Sequence, residues 1–191
     1  AKNIYISPFE HNGVTRVLHH FEKQNMIVVH QLKLENYSFN FERIKYQFEE
    51  IKPDLVICTH ASNVTGIILP VAELCNLSKT FGATTVIDMA QTCGLVDLDC
   101  ENQNIDFAVF AGHKTLYGPT GIGGFVMNQN IVLPPVIFGG TGVDSINPEM
   151  PSSIPEKYEM GTQNILGIAG LNASLKWILN IGIEILYKKE I

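Results

Sequence analysis

The chain has 191 residues and a net charge of −6, with 46% hydrophobic and 17% charged residues. That length suffices for one sizeable core, and the apolar content calls for extensive burial. The acidic balance, with no basic cluster longer than Lys188 and Lys189, argues against a nucleic-acid surface, and no run of about eighteen residues is apolar and uncharged enough to span a membrane.

Strand and helix patterns alternate from the start. Lys2 to Ser7 opens in a strand, and Met26 to His30 reads as the next. Phe41, Ile44, Phe48 and Ile51 mark one face of a helix that Asn40 caps and Pro53 ends. Asp54 to Thr59 is a buried strand, and a helix from about Val71 to Phe81, closed by Gly82, leads into the strand Thr84 to Asp88. Ile105 to Phe110 reads as a strand buried on both faces. Such alternation predicts an α/β domain over residues 1–191, a three-layer α/β/α arrangement with a mostly parallel sheet and right-handed crossovers. From Pro134 to Gly161 the prolines and the Gly139 to Gly142 cluster leave no periodicity, a length unusual for a simple connector. Ile165, Ile168, Leu171, Leu175, Ile178 and Leu179 then predict one long helix from Asn164 to Leu186.

Lys114 stands between the apolar run and a loop rich in glycine, Gly118 to Gly124. A partly desolvated amine at a strand end holds its proton less tightly and, once neutral, attacks carbonyl carbon to form a Schiff base. On the lysine alone, snorkelling to solvent, as most lysines do, is the better account. Asp88 ends a neighbouring strand pattern, and in open α/β sheets ligands lie outside the carboxyl ends of the strands, so both residues would face one cleft. A lysine imine with an acidic partner for a ring nitrogen is what pyridoxal phosphate requires. The loop satisfies neither the phosphate-loop spacing, because the lysine precedes it, nor Gly-x-Gly-x-x-Gly.

Five segments in order resemble the class V aminotransferase family of pyridoxal-phosphate enzymes, most of all its cysteine desulfurase and selenocysteine lyase branch. They are Phe9 to Asn12, His60 to Gly66, Asp88 to Gln91, Gly112 to Lys114 with Tyr117 to Pro119, and Tyr158 to Asn164. The resemblance implies the large cofactor-binding domain of that fold, incomplete at both ends, with the small C-terminal domain absent. It implies that Lys114 forms the Schiff base, Asp88 pairs with the pyridine nitrogen, and Gln91 and Asn63 bond the phenolic oxygen. His11 would stack on the ring and shuttle protons, His113 would touch the phosphate, and Thr162 would reach the phosphate in the other subunit of a homodimer. Each residue also has a plainer reading: His11 as a helix N-cap, Asn63 and Thr162 as turn residues, Gln91 as a cap.

The chain departs from the family in carrying Ala111 where a hydroxyl residue is usual. It also lacks the family's phosphate-cradling turn, its substrate arginine and its sulfur-accepting cysteine. Ala1 is no initiator, and Trp177 to Ile191 stops inside a helical pattern, so a fragment of a longer enzyme, inactive alone, is expected. Cys58, Cys75, Cys93 and Cys100 form no Cys-x-x-Cys pair, which gives neither a metal site nor a redox motif, and Cys93 reads as a small buried hydrophobe. The expected activity of the intact protein is removal of sulfur from L-cysteine, in the cytoplasm, with transfer to an acceptor protein. The alternatives are another class V reaction, such as amino transfer or selenocysteine lysis, and a non-catalytic scaffold or interaction domain.

Overall fold

A computed structural model describes residues 1–190 of the chain. Its centre is a six-stranded sheet in the order β2-β1-β5-β6-β7-β8, where β1 is Lys2–Ile6, β2 Ile27–Gln31, β5 Leu55–Thr59, β6 Thr84–Asp88, β7 Phe107–Ala111 and β8 Gly123–Met127. All neighbours pair in parallel except β7 and β8, which are antiparallel. Two short strands, β3 (Leu34–Glu35) and β4 (Ser38–Phe39), form a separate hairpin.

Helices cover both faces, as the alternating pattern predicts. On one face, α2 (Phe41–Glu50) and α3 (Val71–Thr80) bury Ile44, Phe48, Leu74 and Cys75 against Tyr5, Val56, Ile87 and Ala108. On the other, α1 (Asn12–Lys23) sets Val14 and Leu18 on Ile4, Ile6 and Ile57. Asn40 caps α2 by accepting the Arg43 N–H at 3.0 Å, and Gly82 follows α3 with φ +73°, both as their side chains dictate.

Two sequence expectations are corrected. The segment 164–186 is not one helix but two, α4 (Ile165–Ile181) and α5 (Ile183–Glu190), bent by 91° at Gly182. Gly182 adopts φ +94°, which a periodicity of apolar residues does not reveal and which glycine alone takes without strain. The bend lets Ile178 and Leu186 pack together on Leu95 and Leu116. No single helix among the described residues is long and apolar enough to cross a membrane. The second correction concerns β7, which is not buried on both faces: Val109 is 39% exposed. Helix α1 covers only part of its face, leaving an apolar trough of about 1230 Å³ over β6 to β8, flanked by Leu133 to Ile137 and Tyr158. The irregular segment between β8 and α4 folds back on itself through Tyr158 Oη donating to Leu133 O at 3.0 Å and Gly161 N–H donating to Gly140 O at 2.7 Å.

The entry ends of β6 and β7 are tied by a buried carboxylate. Asp106, 1% exposed, accepts from Lys79 Nζ at 2.6 Å and from Thr85 N–H at 2.9 Å. Lys79→Ala strips the charge partner and is expected to cost about 3 kcal/mol, because a carboxylate then stays buried without compensation; the urea midpoint measures it.

Candidate active site

Every parallel strand delivers its C-terminal residue to the same edge of the sheet. Asp88, the last residue of β6, pairs in register with Thr59 of β5 on one side and Val109 of β7 on the other. The backbone locks around it: His60 N–H donates to Asp88 O at 2.9 Å and Met89 N–H to Val109 O at 2.8 Å. Asp88 Oδ1 accepts the Ala90 N–H at 2.9 Å, which fixes the carboxyl at the start of the turn holding Gln91.

Lys114 lies three residues beyond β7 in a turn built on close backbone approach. Gly112 N–H donates to Ile122 O at 2.9 Å, Gly118 N–H to Gly112 O at 2.7 Å, and Tyr117 N–H to Lys114 O at 2.9 Å. A Cβ on Gly112 would stand 2.7 Å from Ile122 Cγ2 and 2.9 Å from Ile122 O, so only glycine permits the fold-back that presents His113 and Lys114. Thr115 Oγ1 donates to Cys93 O at 2.8 Å and thereby fastens the lysine turn to the turn after Asp88. Lys114 is half-buried and His113 exposed.

Two further segments reach this edge. After β5, Ser62 Oγ accepts from Val64 N–H at 3.3 Å and Thr65 N–H at 3.2 Å, shaping the loop that exposes Asn63. After β1, His11 caps α1, its Nδ1 accepting the Gly13 N–H at 3.0 Å. The plainer reading of His11 is therefore structurally true, and it fixes the tautomer: with Nδ1 accepting, the neutral ring carries its proton on Nε2. Thr162 stands apart from the other predicted residues. It is exposed on the segment before α4, where Asn164 Nδ2 donates to Gly121 O of the lysine loop at 3.0 Å.

The structure adds groups that sequence reasoning passed over. His60 is 4% exposed and its Nδ1 lies 2.9 Å from Thr92 Oγ1. Burial pushes its pKa down to about 4, so the ring is neutral at physiological pH. Glu10 Oε1 accepts from Ser7 Oγ at 2.5 Å and from Thr59 N–H at 2.7 Å, while Oε2 is buried with no partner. Burial pushes this carboxyl up to about 7; the hydrogen bonds from Ser7 and Thr59 pull the other way, and Asp88 adds a smaller upward push. The spacing Ser7-x-x-Glu10, a helix-capping pattern, was the available signal, here turned to a strand end. Burial also raises the pKa of all four thiols, Cys75 to about 12. Among the described residues, no three His, Cys, Asp or Glu side chains are grouped to hold a metal ion.

A lysine and an aspartate thus follow adjacent strands to one edge of the sheet, with imidazoles and amides on the neighbouring turns. The family model for aminotransferase class V matches residues 1–191, and the chain belongs to that family. Among curated relatives, a probable cysteine desulfurase of Pyrococcus abyssi is 41% identical over 140 residues, covering 71% of this chain and 35% of the relative. A cysteine desulfurase of Escherichia coli is 34% identical over 158 residues, covering 80% and 38%. The apo cysteine desulfurase of Thermococcus onnurineus superposes with a TM-score of 0.87 at 28% identity, over 96% of this chain and 47% of that one. The chain thus spans between a third and a half of the length of these relatives, and the three-layer α/β fold with a mostly parallel sheet expected from the sequence is the one observed.

Gly112→Ala is expected to destabilise the domain by about 2 kcal/mol, since Ile122 backbone must move to admit the methyl. Faster amide exchange at Gly118, whose acceptor is Gly112 O, would localise the damage to the lysine turn.

Proposed function

We propose that the intact protein is a pyridoxal-phosphate enzyme that removes sulfur from L-cysteine, leaving L-alanine and a persulfide that an acceptor protein then discharges. The observation that carries the reading is the placement of Lys114 and Asp88 at the ends of neighbouring parallel strands in a chain of the class V family. Relatives named cysteine desulfurase supply the substrate.

The residues present fit the cofactor's chemistry. Asp88 has one carboxylate oxygen engaged by a backbone N–H, and the other would meet a protonated ring nitrogen. Gln91 and Asn63 would offer amide donors to a phenolic oxygen, and His113 with the exposed backbone of its turn would meet phosphate. Ala111 removes one hydroxyl from that set. When bound, pyridoxal phosphate supplies a carbonyl carbon for an amine and an electron-withdrawing ring that acidifies the α-C–H of an amino acid. Lys114 would provide that amine and, when neutral and free, a base at Nζ. His11, with Nδ1 engaged by the Gly13 N–H, would offer Nε2–H to a bound cofactor as a hydrogen-bond donor. His60, neutral and buried, adds no competing charge behind Asp88.

The sulfur acceptor is assigned to a thiol outside these residues. All four cysteines here have their pKa raised by burial, which suppresses the thiolate that would attack sulfur. We assign the working form to a homodimer, supported by the exposed apolar side chains Val132, Val136, Phe138, Ile146 and Leu166 around the segment that carries Thr162. Free cysteines accord with a reducing compartment, the cytoplasm.

Borohydride reduction of the intact protein after incubation with pyridoxal phosphate, followed by peptide mass analysis, tests the reading. Lys114 is expected to carry the label, Lys114→Ala to lose it while keeping its fold, and Asp88→Asn to keep the label but lose turnover by a hundredfold or more, on the order expected for one preorganised charge. A label spread over surface lysines would overturn the assignment.

A further inference from the structure

Glu10 is a side chain for which the function above has no use. Strand β1 leaves the sheet after Ile6, with Ser7 N–H donating to Ile57 O as its last rung, and Pro8 turns the chain away. The next N–H of β5 on that side, Thr59, is left without a strand acceptor. The Glu10 carboxyl takes it, so a side chain continues the hydrogen-bond ladder where the backbone has departed. Thr59 is the register partner of Asp88, and Glu10 is the residue before His11. The clamp therefore joins the turn carrying His11 to the strand beside Asp88.

The groups facing Glu10 are Ser7 from its own turn, Cys58 and Thr59 from β5 and Asp88 from β6. None is cationic, and no ion pair among the described residues includes Glu10. An ionised carboxylate with one oxygen buried and unpartnered, near a second carboxylate, costs far more than the neutral acid.

We propose that Glu10 is a positioning residue whose carboxyl clamps the His11 turn to the end of β5 and can hold a proton while it does so, the negative charge of Asp88 helping to keep that proton on it. That the turn so held presents His11 to a cofactor rests on the function proposed above; the clamp and its proton do not. A cation bound at Asp88 would weaken Glu10's hold on its proton, linking ligand capture to proton release.

The pH dependence has a definite sign. The carboxyl's folded pKa of about 7 lies above its ordinary 4.5, so its contribution to stability is complete below 4.5 and is lost as pH rises through 7. Glutamine reproduces the neutral acid's shape and cannot ionise. Relative to wild type, Glu10→Gln is therefore expected to gain urea resistance progressively as pH rises across that window.

The deciding experiment is carbon-13 NMR of glutamate-labelled intact protein without cofactor, with Glu10 assigned from its loss in Glu10→Gln. Glu10 is expected to titrate near neutrality, apart from the other glutamates, and to shift to lower pH in Asp88→Asn. Amide exchange at Thr59 should quicken at least tenfold in Glu10→Ala and stay slow in Glu10→Gln, a rescue that reads the clamp directly. Titration in the ordinary glutamate range, an unmoved midpoint in Asp88→Asn, or unchanged Thr59 exchange in Glu10→Ala would each overturn the proposal. Borohydride labelling separates the two readings: Lys114 labelled with an ordinary Glu10 sinks the clamp alone, and a neutral-range Glu10 with Lys114 unlabelled sinks the cofactor assignment alone.

Discussion

Parallel pairing is the constraint on which the rest depends. Strands that run the same way must all finish on one edge, and their connections must cross back through helices, so β1, β5, β6 and β7 bring four chain segments to a single place. Nothing in the local sequence around His11, Asn63, Asp88 or Lys114 holds them near one another. The registers Thr59 to Asp88 and Asp88 to Val109 do so, supported by apolar packing on both faces. The antiparallel β8 then returns from the lysine loop, and its Gly123 and Gly124 admit the close approach of Phe110 that the turn around Lys114 needs.

Around that edge, charge is rationed. Beside Asp88, burial keeps the His60 imidazole and the Cys58 thiol neutral and raises the Glu10 carboxyl to about 7, where it is part protonated at neutral pH. A lone carboxylate in such surroundings interacts more strongly with an incoming cation than it would among other mobile charges, because fewer dipoles and counter-charges screen it. The opposite end of the sheet follows a different rule, with Asp106 held by a lysine and a backbone donor in a purely structural clamp.

The five strands of the parallel pairs and helices α2 and α3 were legible because each carries its own signal, such as apolar runs for Leu55–Thr59 and Thr84–Asp88, an Asn cap for Phe41–Glu50 and a glycine stop after Val71–Thr80; β8 and the β3/β4 hairpin were not read. The site residues on the turns after β5, β6 and β7 were legible as a set only through their resemblance to a family, since an Asn after a Ser or a His beside a Lys says little alone. What escaped was whatever depends on three-dimensional neighbours. Apolar spacing continues through Gly182, so the bend there is written only in one residue's φ. Val109 looks like core by composition and is left uncovered by α1's limited reach. Glu10 and Thr92 are polar residues whose partners lie 49 and 32 positions away.

Two of the buried titratable groups beside Asp88 have opposite acid–base slopes, and this hides them from a bulk measurement. His60, with its pKa lowered from 6.5 to about 4, contributes stability above 6.5 that drains away as the solution is acidified towards 4. Glu10, raised from 4.5 to about 7, drains in the other direction. Each amounts to roughly 3 kcal/mol at most, and between about pH 4.5 and 6.5 the two nearly cancel. A level stability curve through mild acidity is thus compatible with a strongly perturbed interior, and two errors of opposite sign would be read as ordinary behaviour. Loss of either group alone would expose the acid–base slope of the other.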